Sequence, residues 1–205
     1  MRYKLLAVSA VVAGAMLGCN ENMVSNEPVV IKVPGMDTHG GMLGNTCSGC
    51  HGPQGNSFGP AIPSIAGISK DYFVEKMTAY KEGDAYASIM GNIAKGYSEK
   101  EIEAMSTYFN QQTYIPREQE HDASLAAKGK VLHEEHCQKC HENSPEDESG
   151  FLSGQWMLYL EYALNDYQSG KADAPKKMAK KLKTVTEEHG ADGIKQLIHY
   201  YGSAK

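Results

Sequence analysis

The sequence predicts an all-α fold built from two copies of one small domain. Apolar residues recur at intervals of three and four residues in both halves, and no segment alternates apolar and polar residues as a half-buried strand would. Four pairs of identical residues also lie 87 positions apart. These pairs are Gly67 and Gly154, Tyr72 and Tyr159, Tyr80 and Tyr167, and Gly83 and Gly170. Because self-similarity at a fixed spacing indicates an internal repeat, the two halves should share one fold.

Residues 1–18 are predicted to be an export signal. Arg2 and Lys4 precede an apolar run over residues 5–17, which is too short to cross a bilayer. A segment of this kind is removed from the mature protein, so it is excluded from the predicted fold.

The end of this signal leaves two interpretations of Cys19 open. Residues 16–19, Met-Leu-Gly-Cys, resemble the lipobox of bacterial lipoproteins, in which the cysteine is acylated and becomes the new N-terminus. Cys19 would then anchor the protein to a membrane. The alternative is cleavage after Ala15, a small-x-small site, which would leave Cys19 as an odd thiol in a mobile tail.

The rest of the chain divides into four predicted segments. Residues 19–37 hold no aromatic residue and are predicted to be a flexible tether. The first domain is predicted over residues 38–112 and the second over residues 122–205. Between them, residues 113–121 contain Pro116 and a charged stretch, which is typical of a linker.

Each domain contains two clear helical patterns. The segment Ser98 to Glu101 has the composition of a helix start. The apolar residues of the first half are Tyr72, Phe73, Met77 and Tyr80, followed by Ile102, Met105 and Tyr108. Those of the second half are Trp156, Leu158, Tyr159, Tyr162 and Leu164, followed by Ile194, Leu197 and Tyr201. The spacing therefore predicts helices at matching places in the two domains.

A five-residue motif occurs once in each half, and its spacing is that of c-type haem attachment. The motif is Cys-x-x-Cys-His, at residues 47–51 and again at 137–141. Residues three and four apart share one face of a helix, so both sulfurs and the imidazole can converge on one porphyrin. The chain is therefore predicted to carry two covalent haem c groups. The thioether-forming residues are then Cys47, Cys50, Cys137 and Cys140, and the proximal iron ligands are His51 and His141.

The histidine that ends each motif separates this interpretation from two others. A Cys-x-x-Cys pair alone would also fit a redox dithiol or half of a zinc site, but neither requires a histidine immediately afterwards. Covalent attachment of haem takes place outside the cytoplasm, which agrees with the predicted export signal. The expected location is the periplasm.

The sixth ligand of each iron decides between an electron carrier and an enzyme with an open site. Met90 and Met178 are predicted to be these ligands, because they lie 39 and 37 residues after the respective motif histidines. Met77, Met105 and Met157 have no such symmetric partner, and a methionine at helical spacing is more often core filler. Histidine and methionine together favour electron transfer.

The charge balance limits the possible partners. Without residues 1–18 the chain has 18 basic and 25 acidic side chains, so nucleic acid is not an expected partner. Five lysines nevertheless lie between Lys176 and Lys183. They are either a solvated helix face or a docking patch that steers an acidic electron partner towards the second haem.

These motifs together resemble the tandem class I cytochromes c over nearly the whole mature chain. Residues 47–52, 59–63 and 90–98 are similar to the first domain shared by cytochrome c4 and the dihaem subunit of flavocytochrome c sulfide dehydrogenase. In the second half, residues 140–142, 154–157 and 176–182 are similar to the flavocytochrome subunit rather than to cytochrome c4.

The resemblance implies a subunit that accepts electrons from an FAD-containing sulfide dehydrogenase and passes them to a downstream acceptor. It also implies that the carbonyl of Pro60 orients the proximal histidine of the first haem. The second half offers only Pro145, which is out of register. The two haems are therefore expected to differ in reduction potential.

Two other functions remain open from the sequence. The first is a free-standing dihaem carrier to a terminal oxidase, for which a lipidated Cys19 and a tether would be suited. The second is an enzyme with an open distal site, such as a peroxidase or a thiosulfate oxidoreductase. That function requires that Met90 or Met178 does not bind iron.

Overall fold

A computed structural model of the chain describes residues 33–86, 89–142 and 150–204. These residues belong to one compact unit, and they contain helices, turns and loops but no β-strand. The prediction of an all-α protein is thereby confirmed. The predicted export signal, Cys19, most of the predicted tether and Pro145 lie outside the described residues.

The described residues form eight α-helices. In the first half these are α1 (His39–Asn45), α2 (Ser48–His51), α3 (Lys70–Glu82), α4 (Met90–Ala94) and α5 (Glu99–Asn110). In the second half they are α6 (Ala123–His136), α7 (Met157–Gln168) and α8 (Lys176–Gly202). Residues 111–122 connect α5 to α6 without a helix, while the predicted domain bounds themselves stay a prediction.

Side-chain caps explain why several helices begin where they do. The hydroxyl of Ser98 accepts the Glu101 N–H, and the Glu101 carboxylate accepts the Ser98 N–H in return. This capping box starts α5 at the place predicted from the sequence. The Asp122 carboxylate accepts N–H groups of Ser124 and Leu125 and starts α6 in the same manner.

The last helix of the second half corresponds to two helices of the first half. Helix α8 contains Gly190 at φ 64° and ψ −157°, a left-handed conformation that interrupts the regular helix. The part before Gly190 carries Met178 and corresponds to α4, while the part after it corresponds to α5. Glycine is suited to this position because side chains disfavour positive φ.

In each half the first helix crosses the last helix at a glycine. A methyl group on Gly40 of α1 would collide with the carbonyl oxygen of Ala104 in α5. A methyl group on Gly129 of α6 would likewise collide with the carbonyl oxygen of Gln196 in α8. The backbones therefore approach closely enough that only glycine fits, and the two halves share this crossing.

Two separate apolar cores lie beside these crossings. The first consists of Phe73, Met77, Ala94, Ile102, Met105, Tyr108 and Phe109. The second consists of Leu132, Leu160, Leu164, Val185, Ile194, Leu197, Ile198 and Tyr201. Residues from both helical patterns of each half take part, as the sequence predicted.

Polar contacts to backbone atoms join the two halves. The side chain of Gln155, only 2% exposed, accepts the Ser64 N–H at 2.9 Å and donates to the Ser64 carbonyl at 3.0 Å. The indole N–H of Trp156 donates to the Ser57 carbonyl at 3.1 Å. Because an unsatisfied buried amide costs about 1–3 kcal/mol, the Gln155 pair fixes one arrangement of the halves.

The tyrosines of the repeat meet between the two halves. Burial raises the pKa of Tyr72, and its neighbours Tyr159, Tyr167 and Tyr80 raise it further. Burial also raises the pKa of each of those three neighbours. Residues that are 87 positions apart in the sequence thus share one cluster, and their hydroxyls stay neutral.

Among the described residues, none of the helices combines the length and the apolar character that crossing a membrane would need.

Replacing Gly129 with alanine should destabilise the second half, because the added methyl group forces α6 and α8 apart. We expect the free energy of unfolding of the holoprotein to fall by about 1–3 kcal/mol, measured by chemical denaturation followed by circular dichroism. Lys128→Ala, on the exposed side of the same helix, is the matched control and should leave stability nearly unchanged. Equal stability of the two variants would show that the helices do not approach as described.

Candidate haem-binding sites

The first site is a single turn of helix that begins at Cys47. The N–H groups of Cys50 and His51 both donate to the Cys47 carbonyl, at 3.1 and 2.8 Å. This turn places the two thiols and the imidazole side by side. Neither cysteine forms a disulfide, and the Cys50 side chain is exposed.

The ring of His51 is oriented by a backbone carbonyl. Its Nδ1 atom lies 2.8 Å from the carbonyl oxygen of Pro63, and the residue is only 9% exposed. Since a carbonyl only accepts, Nδ1 carries the hydrogen and Nε2 keeps the lone pair that binds a metal. Burial lowers the pKa of His51 and outweighs the opposing effect of the Pro63 hydrogen bond. The imidazole is therefore held in its neutral, ligating form.

The resemblance-based assignment of Pro60 is wrong, because Pro63 supplies the orienting carbonyl. A turn closed by the hydrogen bond from Ile62 N–H to the Gly59 carbonyl reverses the chain between the two prolines. The Pro60 carbonyl instead accepts the N–H of Tyr159 from the second half, at 3.0 Å. Two prolines three positions apart look alike in sequence, and the turn decides which one faces the histidine.

The second site repeats the geometry of the first. The N–H groups of Cys140 and His141 donate to the Cys137 carbonyl at 3.1 and 3.0 Å. Burial raises the pKa of the Cys137 thiol, while a hydrogen bond with Tyr201 and the charge of Lys181 oppose that rise. The four predicted attachment cysteines thus fall into two equivalent turns, one in each half.

Two residues that the sequence analysis did not assign to a haem site line the second site. His133 is buried, and its Nδ1 atom lies 3.1 Å from the Tyr201 hydroxyl. Burial lowers the pKa of His133, and the neighbouring His141 lowers it further. The sequence places Cys137 four positions after His133 and His141 four positions after Cys137, so the available signal was the shared helical face.

The predicted distal ligands lie on other elements than the motif histidines. Met90 is the first residue of α4, and its partly buried side chain packs against the first core. Met178 lies in the first turn of α8 and packs against the second core. Met77 and Met105 are buried core residues. The assignment of Met90 and Met178 as iron ligands stays a prediction.

The donor atoms present fit covalent haem. Within the described ranges, no group of three or more His, Cys, Asp and Glu side chains could hold a bare metal ion, and the four cysteines form no disulfide. Large apolar side chains close in sequence to His51 and to Met90 are exposed, among them Phe58 at 71% and Ile89 at 60%. Apolar surface of this kind suits a macrocycle held by two thioethers and one imidazole.

Comparison with known proteins agrees with this chemistry. A family model described as cytochrome c matches residues 42–113. The cytochrome subunit of sulfide dehydrogenase from Chlorobaculum tepidum is 40% identical over 76 residues, which cover 37% of this chain and 68% of that protein. The chain belongs to the cytochrome c family. A cytochrome c4 from Azotobacter vinelandii is 28% identical over 147 residues, covering 60% of this chain and 68% of that protein.

A solved structure of this cytochrome class shares the fold. Reduced cytochrome c4 from Pseudomonas stutzeri superposes with a TM-score of 0.66 at 24% identity, covering 82% of this chain and 97% of that one. The prediction of two tandem cytochrome c domains is confirmed. The chain is an electron-transfer cytochrome with two covalently bound haem c groups, attached at Cys47 and Cys50 and at Cys137 and Cys140.

The protein's part in this chemistry is to attach each haem and to orient the ring of His51. Haem iron supplies one-electron exchange between its ferric and ferrous states. The cysteines fix the position of each group, and the Pro63 carbonyl holds the His51 ring in one tautomer and one orientation. Burial of His51 keeps protons from competing for its Nε2 atom.

The predicted distal ligands can be tested one at a time. Met90→Leu and Met178→Leu conserve side-chain volume, so each should remove about half of the weak red absorption of methionine-ligated ferric haem and leave the fold intact. Met157→Leu is the control and should retain the full band, measured by optical spectroscopy of the oxidised holoprotein. Retention of the full band in either of the first two variants would contradict that ligand.

Proposed function

We propose that this cytochrome is the periplasmic electron-accepting subunit of a sulfide-oxidising flavoprotein complex. The observation that carries the proposal is the 40% identity to a cytochrome subunit of sulfide dehydrogenase, which the chain covers over 68% of its length. A flavin subunit would deliver electrons to one haem, and a downstream acceptor would collect them. The joined halves place both haem motifs in one compact unit, as such a relay requires.

An exposed lysine cluster supports docking near the second haem. Its members are Lys176, Lys177, Lys180, Lys181 and Lys183, all exposed on the first part of α8. Burial raises the pKa of the Cys137 thiol and the charge of Lys181 opposes that rise, so this ammonium lies near the second attachment site. A positive patch on an otherwise acidic chain attracts an acidic partner surface and raises its association rate.

A free-standing dihaem carrier is the second candidate. Cytochrome c4 from Azotobacter vinelandii matches this chain over 147 residues, a length that includes both halves. The structural similarity to cytochrome c4 from Pseudomonas stutzeri extends over 97% of that chain. Such a carrier would deliver electrons to a terminal oxidase without a permanent partner.

The location that fits both candidates is the periplasm. The residues before the first domain have the composition of an export signal and a tether, and Cys19 would be the site of lipidation. An acylated Cys19 would hold the haem domains close to a membrane and to a membrane-bound acceptor.

Purification of the native protein separates the two candidates. In a flavoprotein complex we expect the cytochrome to elute with a flavin-containing chain at a fixed flavin-to-haem ratio, because a subunit stays bound through purification. Absorbance spectra and size-exclusion chromatography measure this. A flavin-free monomer from gently lysed cells would contradict the subunit proposal and favour the carrier. Intact-mass analysis of the same sample tests Cys19, since an unlipidated N-terminus excludes the anchor.

Charge reversal tests the lysine cluster. Lys180→Glu with Lys181→Glu should slow electron transfer with the native partner by roughly tenfold at low salt and weaken its salt dependence, as measured by stopped-flow spectroscopy. Lys128→Glu with Lys195→Glu changes the charge equally at exposed positions outside the cluster and serves as the control. Unchanged rates in the first pair would show that the cluster is only a solvated helix face.

A further inference from the structure

The linker between the halves contains an unusual basic residue. Of the 20 basic side chains in the chain, only Arg2 and Arg117 are arginines. Arg2 lies in the predicted export signal, so Arg117 is the one arginine among the described residues. Every other basic residue in the described part of the chain is a lysine. The single arginine indicates that the shape of its guanidinium matters as well as its charge.

Arg117 touches both halves. Its N–H donates to the Gly154 carbonyl at 2.8 Å, which ties the backbone to the second half. Its guanidinium carbon lies 5.3 Å from the centroid of the Phe58 ring, on the loop that follows the first haem motif. The side chain therefore extends from the linker towards the first haem site.

One edge of this guanidinium lacks an acceptor. The Nε and Nη2 atoms are closed to solvent, and neither has a hydrogen-bond partner among the described residues. Buried N–H groups without an acceptor cost free energy, so a hydrogen-bond acceptor is expected at this edge. Nε and Nη2 form the side of the guanidinium whose two N–H groups run parallel, and that edge matches the two oxygens of one carboxylate.

Among the described residues, the two segments that approach Arg117 supply no such carboxylate. Residues 52–63 and 151–157 contain no charged side chain. The titratable group that responds to the guanidinium is Tyr114: burial raises the pKa of its hydroxyl, and Arg117 opposes that rise. Glu118 follows Arg117 in sequence, but its side chain is exposed.

The covalent haem supplies the missing group, because each haem c carries two propionate carboxylates. Phe58 lies seven residues after His51, so the guanidinium packs on the same loop whose Pro63 carbonyl orients that histidine. We propose that Arg117 binds a propionate of the haem attached at Cys47 and Cys50, through Nε and Nη2. This proposal rests on the haem itself and is independent of the flavoprotein partner.

Arg117 is thus a positioning residue for the first haem. Its positive charge keeps the propionate ionised and makes the ferric state less favourable, so it raises the reduction potential. The paired propionate takes up no proton when the iron is reduced. The pairing should therefore add no pH dependence to the potential of the first haem between about pH 5 and about pH 8, which leaves its second, unpaired propionate as the one that can add some.

Potentiometric titration of the holoprotein at several pH values tests the proposal. In Arg117→Gln we expect the potential of the first haem to fall at neutral pH, and to fall further as pH rises, because the unpaired propionate now titrates in this range. The second haem should be unaffected. Met90→Leu identifies the first haem, since that variant loses the methionine band of that haem alone. Lys100→Gln, an exposed neutralisation in the same half, is the control and should match the wild type.

Arg117→Lys separates the effect of the positive charge from the effect of the guanidinium shape. It keeps the positive charge but loses the two-pronged edge, so we expect an intermediate potential with the pH dependence of the wild type. Wild-type potentials in Arg117→Gln at every pH, or a shift confined to the second haem, would overturn the proposal. If Arg117→Gln fails to mature, Arg117→Lys decides, because a first-haem potential equal to that of the wild type at every pH in that variant would also overturn the proposal.

Discussion

The structure depends on one helical turn that presents two thiols and an imidazole together, and it contains this turn twice. In both copies the N–H groups of the second cysteine and of the histidine donate to the carbonyl of the first cysteine. That turn alone does not orient the ring, and in the first copy the Pro63 carbonyl does so at 2.8 Å. The fold around it, with a first and a last helix crossing at a glycine, holds the proline loop and the turn in place.

The two halves are related but not equivalent. Helices α4 and α5 of the first half are one interrupted helix, α8, in the second. The second site is lined by His133 and Tyr201, whereas the first is completed by a proline carbonyl. Since surrounding hydrogen bonds and charges tune an iron centre, an internal duplication has produced two different environments from one architecture.

Features that depend on local residue spacing could be predicted from the sequence. Contacts that depend on where the chain turns could not. The all-α fold, the two haem motifs and the capping box at Ser98 each follow from spacing within a few residues. The role of Pro63 depends on a turn that directs Pro60 to the other half, and no short-range signal distinguishes the two prolines. Arg117 looked like part of a charged linker, because its lack of an acceptor appears only once the surrounding loops are packed.

The Gln155 contact between the halves supports the first haem site. Its amide holds both backbone groups of Ser64, the residue directly after Pro63, whose carbonyl orients His51. A side chain of the carboxyl-terminal half therefore braces the loop that orients the histidine of the first haem motif. The amino-terminal half excised as a separate module would lose that brace, and its proline loop would then be held by contacts within the half alone.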